Sequence, residues 1–513
     1  MIDIESIINS NEMVNLEAKE ANKGLPNSIW ETYSSFANTF GGTIVLGIKE
    51  DKVNKVLIPK GVSNANQMIS DIWNILNNKQ KISSNILLEH HVYKTEYQGM
   101  DFVVIEVPRA DRRDKPVYIG QDMFKGTYRR NFEGDYCCKI EEVKQMLRDQ
   151  GDSSQDALTI QNLSVSDLNM DSIHRYRNLF NTLKPNHTWS MLNDEEFLLK
   201  IGAVRKDQGD YKTHPTLGGL IFFGNYVTIT DELSNYFLDY REISTDSDRW
   251  KDRVCSSDGS WSGNIFDFYF KIIDKLTADI KKPFKLDSKM QRIEDTSIHR
   301  CIRECLANAL IHADYYGKRG IVIEKTDNKI TFSNPGTFRI DIEEAIAGGI
   351  SDARNGRIFN MFSLINIGER SGMGLCDVYR TWELNGFNKP TIKEDINPER
   401  ITITLCADFD GNDGNLDGNT SIFDGNLDGN TSVFDGNLDG NDGKNFNLDG
   451  NLTKNEQLVL KVISTDSKLT AENIALQIKL SKPTVERALR SLKEKGIIIR
   501  KGSTRGYWVV VNK

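Results

Sequence analysis

The sequence predicts an α+β protein of several domains, and three observations carry that prediction. Helical and strand periodicities alternate through the first 150 residues and again from 295 to 407. Between 408 and 451 the chain repeats Asp-Gly-Asn units with too few large apolar residues to fill a core, so this stretch separates folded parts. A basic segment with three helical patterns and a hairpin pattern closes the sequence at 452–513. The expected boundaries are therefore 1–150, a connecting α/β region at 155–294, 295–407, the repeat linker 408–451, and 452–513. A chain of 513 residues has the length for roughly three or four cores of ordinary size.

The first domain opens on acidic residues and a lysine: Glu12, Glu17 and Lys19. Five residues on a regular helix differ by about 140° in azimuth, so the two carboxylates converge only if the backbone changes conformation between them. Val14–Lys19 alternates like a half-buried strand, which puts Glu17 and Lys19 on one face, where Glu50 could join them. Leu25–Phe40 follows with Ile29, Trp30, Tyr33, Phe36 and Ala37 at helical spacing and Pro26 suited to a first turn. Gly41-Gly42 stops that helix, and Thr43–Ile48 is β-branched enough for a buried strand. A trio of carboxylates is hard-oxygen chemistry and suits Mg²⁺ or Mn²⁺ rather than zinc. Alone, the same glutamates read as solvated surface charges. Arg109, Arg112, Arg113, Lys115, Lys125, Arg129 and Arg130 crowd into a short stretch that could hold several phosphates.

The block SFANTFGG at Ser35–Gly42, the acidic spacing before it, the strand VVIEVP at Val103–Pro108 and Gly126-Thr-Tyr-Arg-Arg130 resemble the Schlafen AlbA-type domain over about the first 150 residues. The resemblance implies nucleic acid, RNA or DNA, as partner. It places the catalytic metal-holding carboxylates of the Schlafen nucleases on Glu12, Glu17 and Glu50, with Lys19 beside the scissile phosphate. Structured RNA such as tRNA as substrate, and a part in antiphage defence, are further implications of the resemblance. Other members of this group only bind DNA, which leaves cutter and reader both open.

In the connecting region, Leu217–Gly224 (LGGLIFFG) reads as a buried strand ending in a turn and Ile265–Leu276 as a helix. The next domain begins with SIHRCIRECLANALIHADYYG, where Ile302, Leu306, Ala309 and Leu310 mark one helix face while Glu304, Asn308 and His312 fall at i, i+4 and i+8 on another. Carboxylate, carboxamide and imidazole in a row suit a magnesium nucleotide: the carboxylate orients a water and the amide oxygen ligates the metal. Ile321–Glu324 and Lys329–Phe332 read as paired strands, followed by Asn334-Pro335-Gly336, the basic pair Arg354-Asn355, and Gly368-Glu-Arg-Ser-Gly372-Met-Gly374, with a helix starting near Gly374. These pieces, in this order, resemble the GHKL ATPases in a divergent branch. The resemblance implies an α/β sandwich that binds ATP, with Glu304 as general base, Asn308 on the metal, Asn334 and Gly336 at the adenine, and His312, Arg354, Gly368, Gly372 and Gly374 around the nucleotide. It also implies a homo-oligomer.

The repeat FDGNLDGNTS places Phe423 and Phe434 eleven residues apart, and Asp408–Asn451 holds ten Asp and one Lys. Asp424-x-Asn426-x-Asp428-Gly429 copies half a calcium loop, but position 12 is Asp435 and no helices flank it, so a linker is the expectation. Leu452–Lys513 carries thirteen Lys/Arg against five Asp/Glu, a local excess of eight positive charges in a chain of net charge −8. Helices are expected at Leu452–Ser464, Thr470–Ile478 and Ser481–Lys495, with Ser481 as N-cap and Pro483 in the first turn, then a hairpin over GIIIRKGSTRGYWVVV. Three helices and a wing resemble the winged helix-turn-helix family. The resemblance puts Lys482, Thr484, Arg487 and Arg490 in a major groove and Arg500, Lys501 and Arg505 on phosphates or a minor groove, unless this module contacts protein instead.

Seven cysteines without a CxxC pair offer no disulfide framework or zinc site, and Cys301 and Cys305 read as core thiols. No apolar run approaches about 18 residues and the N-terminus lacks a signal-peptide pattern, so the expectation is a cytoplasmic protein with no membrane partner. Two functions fit these readings. One is an ATP-binding protein with a metal-dependent endonuclease module. The other is a non-catalytic, ATP-responsive, DNA-binding transcriptional regulator.

Overall fold

A computed structural model describes residues 4–9, 15–22, 24–51, 56–244, 250–280, 296–368 and 372–407, and in the C-terminal part 459, 485, 489–490, 492–493, 498–501 and 507–510. The chain divides into two compact units, Met1–Asp417 and Gly418–Lys513. Among the described residues no helix is long and apolar enough to cross a membrane.

The N-terminal part is built on a four-stranded sheet in the order Leu16–Lys19, Gly42–Leu46, Met100–Val107, Val92–Tyr97. The first pair is parallel, with Glu17 opposite Ile44, and the other pairs are antiparallel. Alternation along Ile44-Val45-Leu46 sends Ile44 and Leu46 into the core under helices Ile29–Asn38 and Ala65–Leu76, and Val45 into a smaller cluster with Phe102, Val104 and Ile4 on the other face. The expected strand Thr43–Ile48 is broken at Gly47, whose φ of +106° ends the pairing. Ile48–Asp51 then forms a separate hairpin with Val56–Pro59, and Glu50 rides on it, exposed.

The SFANTFGG block holds this part together. The Asn38 side chain donates to the carbonyls of Val117 (2.7 Å) and Tyr128 (3.0 Å) and accepts from the Val117 N–H (2.9 Å). The Thr39 hydroxyl donates to the Ser35 carbonyl and accepts from the Arg130 N–H. A Cβ at Gly41 would stand 2.7 Å from the Val107 carbonyl oxygen, and Gly41 already has φ +77°, so only glycine suits this turn.

From Ile160 to Ala407 a single hydrophobic core runs through what the sequence divides into a connecting region and a later domain. A six-stranded sheet carries it, in the order Trp250–Cys255, Leu238–Ile243, Ile321–Thr326, Lys329–Pro335, Glu399–Cys406, Thr391–Ile396. Two of its strands thus come from the connecting region, and Leu238–Ile243 lies parallel to Ile321–Thr326. Helices Ile265–Thr277, Ser297–Ile311, Gly356–Leu364 and Gly374–Leu384 contribute to the same core. Cys301 and Cys305 are buried in it as free thiols, and burial pushes the Cys301 thiol up to about 11.

One element differs from the expectation: Leu217–Phe223 is a helix, not a strand. All seven residues are buried, so the run has no polar face to reveal a period of 3.6. The Thr216 hydroxyl caps it, accepting from the Gly219 N–H at 3.0 Å, and Gly219 packs so closely that an added Cβ would fall 1.8 Å from the Ala203 carbonyl oxygen.

In the C-terminal unit, Ile498–Lys501 and Tyr507–Val510 pair antiparallel as the expected wing. Val459, Val485, Leu489 and Leu492 are buried, while Arg490 and Lys493 are exposed, which fits an amphipathic third helix with Arg490 outward. Lys482, Thr484, Arg487, Arg505 and the whole acidic repeat with its calcium-like loop lie outside the described residues, as do the side chains of Arg500 and Lys501.

Candidate functional site

A cavity of about 110 Å³ opens between helix Ser297–Ile311, the sheet and the segment 337–354. Glu304, Asn308 and His312 line it from the helix, Asn334 from a strand, and Arg354, Gly372 and Gly374 complete it, so seven of the sequence-predicted nucleotide residues share one space. Gly336 and Gly368 are nearby in sequence but outside that lining, and 369–371 lie outside the described residues.

The geometry follows from local rules. Spacing of four on the helix brings Asn308 Nδ2 within 3.1 Å of Glu304 Oε1, to which it donates. That orientation leaves Asn308 Oδ1, a hard oxygen, for a cation, so the residue fits a magnesium ligand. Helix Gly374–Leu384 begins directly against the Glu304 carboxylate: a Cβ on Gly374 would lie 1.9 Å from Oε1, and only glycine permits the approach. His312 is held neutral, its pKa lowered to about 4 by burial first and then by Arg354 and Arg339. Arg354 is structural here: its guanidinium donates to the carbonyls of His312 (3.1 Å) and Thr337 (2.8 Å) and pairs with Asp149. Asn334 is buried, and its Nδ2 turns to the Pro335 carbonyl at 3.2 Å.

The N-terminal acidic site is arranged differently. Glu17 and Lys19 do share a face and pair at 2.7 Å, and the other Glu17 oxygen accepts from Arg130 at 3.1 Å. Arg130 also binds Asp135 at 3.0 Å and stacks over Phe36. Glu12 lies outside the described residues, and among the described residues no three acidic, histidine or cysteine side chains are grouped to hold a metal ion. Of the expected trio, Glu17 lies on the edge strand Leu16–Lys19 and Glu50 on the hairpin strand Ile48–Asp51.

The stretch of arginines and lysines is mostly turned inward. Arg109 makes a bidentate pair with Glu394 at 2.7 and 2.8 Å, Arg112 binds Asp352 at 2.6 Å, and Arg129 pairs with Glu399. Gln145 donates to Asp314 (3.1 Å) and to Glu399, and Arg148 approaches Asp314 at 3.6 Å. These contacts tie 109–150 to 314–399. Only Arg113 and Lys125 of the seven are well exposed, with side chains 69 % and 87 % accessible.

Residues 12–140 match the family profile described as Schlafen, AlbA_2. This segment is similar to the Schlafen AlbA_2 domain. Residues 318–405 match the family described as "Putative ATP-dependent DNA helicase recG C-terminal", a HATPase_c_4 profile, and 449–512 match "Sugar-specific transcriptional regulator TrmB". Residues 144–239 match a domain of unknown function, DUF8451. The chain thus carries the three-part architecture that its motifs predict. No curated protein matches significantly. Among solved structures, the DIP2311 protein from Corynebacterium diphtheriae is 16 % identical, covering 99 % of this chain and 96 % of its own, with a TM-score of 0.39. The N-terminal domain of a DNA helicase RecG-related protein from Nitrosomonas europaea is 24 % identical over 27 % of this chain and 91 % of its own, with a TM-score of 0.22.

The AlbA_2 match ends at 140 and the ATPase-type match starts at 318, so the helix with Glu304 and Asn308 falls in neither. It is tied to the ATPase-type segment by the shared cavity and core. Asp352, Glu394 and Glu399, whose carboxylates hold the AlbA_2 arginines, carried no sequence signal: each lies 240 to 285 residues from its partner, and nothing local marks it.

Proposed function

We propose that this is an ATP-binding, nucleic-acid-binding protein in which nucleotide in the cavity beside Ser297–Ile311 controls the AlbA_2 domain through the ion-paired seam. The convergence of Glu304, Asn308, Asn334, Gly372 and Gly374 on one cavity carries this reading. Asn308 Oδ1 would ligate the Mg²⁺ of a magnesium nucleotide, Glu304 would orient water toward the terminal phosphate, and backbone N–H groups beside Gly372 and Gly374 would face the phosphates. The seam supplies the connection, because Arg354, Thr337 and Arg339 border the cavity while Arg354 and Arg339 also bind Asp149. The basic excess of 452–513, its wing and the match to transcriptional regulators favour DNA as the partner of the C-terminal unit.

Metal-dependent cleavage is the second reading, favoured by the Glu17–Lys19 pair on the edge strand of an AlbA_2 domain. Two assays separate these readings. Titration with a fluorescent ATP analogue and Mg²⁺ should show binding that weakens in Asn308→Ala, whereas Glu304→Ala should bind and fail to hydrolyse. Equal binding and turnover in all three proteins would remove the nucleotide site. Incubation with tRNA, single-stranded and duplex DNA with Mg²⁺ or Mn²⁺ tests cleavage, and products that persist unchanged in Glu17→Ala would exclude the carboxylates as their source.

A further inference from the structure

A second cavity, of about 250 Å³, lies on the seam itself. Phe40, Arg109, Lys115 and Arg129 line it from the AlbA_2 side, and Phe338, Glu394 and Glu399 from the other. It is distinct from the nucleotide cavity: neither Glu304 nor Asn308 reaches it, although Thr337–Ile340 forms a wall of both.

Of the five cations in its lining, only Lys115 lacks an ion pair among the described residues. Arg109 has Glu394 and Arg129 has Glu399. Lys115 donates to the Asn38 carbonyl at 3.3 Å, and among the described residues no carboxylate lies within ion-pair distance of it. Burial, and then Arg109 and Arg129, pull its pKa down to about 7, against the weaker opposing pull of Glu399 and Glu394. Arg129 shows a related deficit. It is only 9 % exposed, its Nε and Nη1 lack hydrogen-bond partners, and the Glu142 carboxylate stands off at 4.0 Å. A partly buried ammonium beside a buried, incompletely bonded guanidinium costs free energy that an anion between them would recover.

The same walls limit what that anion can be. Asp111, Asp341 and Glu344 also face the cavity and would repel a polyphosphate. The volume lies just below the usual range for ligand pockets of roughly 300–1,000 Å³ and suits a molecule of sugar-phosphate or mononucleotide size. Phe40, 42 % exposed, and Phe338 add aromatic surface for a sugar or base.

We propose that the seam cavity binds a small phosphate monoester, with the phosphate held by Lys115 and the remainder against Phe40 and Phe338. A ligand there would bridge the AlbA_2 domain and the ATPase-type region.

The test uses the full chain and three probes: inorganic phosphate, ribose 5-phosphate and AMP. Brief acetylation with acetic anhydride, read residue by residue by mass spectrometry, compares Lys115 with the exposed Lys125 as internal control. The monoesters should slow acetylation of Lys115 about tenfold and leave Lys125 unchanged; protection by free phosphate as well assigns the recognition to the phosphoryl group. No protection of Lys115 by any probe overturns the proposal. Calorimetry with the protecting probe should show about tenfold weaker binding to Lys115→Met and no change in Asn308→Ala. The reverse pattern places the ligand in the nucleotide cavity and also overturns it. Should Lys115→Met fail to fold, the acetylation result on the wild-type chain decides alone.

Discussion

Replacing Glu399 with leucine tests whether the arginines of the AlbA_2 domain clamp it to the ATPase-type region. Glu399 is the first residue of its strand, its side chain is 6 % exposed, and its two oxygens accept from Arg129 and Gln145. Burial works to lower the Arg129 pKa, and the Glu399 carboxylate overcomes it, so the guanidinium stays charged. Glu399→Leu would therefore strand a buried cation, which costs about 3–5 kcal/mol, and would also remove the Gln145 bond, about 1 kcal/mol. The expected loss is about 4–6 kcal/mol, of which Arg129→Met in the same chain should restore a large part, because the double variant buries no unpaired charge. Urea unfolding followed by tryptophan fluorescence measures all four corners of the cycle. A single-variant loss below about 1 kcal/mol, or singles that simply add in the double, would refute the clamp.

Three other outcomes are expected. Gly374→Ala, whose Cβ would fall 1.9 Å from Glu304 Oε1, should fold but displace that carboxylate and cut ATP turnover at least tenfold in a phosphate-release assay. Asp156 accepts from the N–H groups of Arg357 (2.7 Å) and Ile358 (2.9 Å) and so caps helix Gly356–Leu364 from a distance; Asp156→Ala should cost about 1–3 kcal/mol in a thermal melt. His312 has a folded pKa near 4 against 6.5 unfolded, so the unfolded chain binds the extra proton between those values. Stability from this group is complete above pH 6.5 and is lost as pH falls toward 4, by about 3 kcal/mol at most, a slope that His312→Gln should remove from a pH series of urea midpoints.

Much of this protein was legible in its sequence because the signals were local. Spacing of four put Glu304 beside Asn308, whereas the approach of Gly374 to the Glu304 carboxylate came only from the fold. Glu17 and Lys19 were placed on one strand face by a period of two, and the wing by its flanking β-branched runs. The helix at Leu217–Phe223 was not legible, since a run buried on every side carries no periodicity. The β-branched run Thr43–Ile48 did not reveal the turn at Gly47, which carries Glu50 onto a separate hairpin.

The basic stretch at 109–130 marks the boundary between the two kinds of information. The sequence by itself determined that these side chains are cationic and that they lie close together, and charge plus the AlbA_2 motif pointed them at phosphates. Only the tertiary structure decided where that charge goes: into Glu394, Asp352 and Glu399, brought within 3 Å by the packing of distant segments. A charge is a property of a residue, whereas its partner is a property of the fold, because the partner is chosen by which surfaces the core brings together.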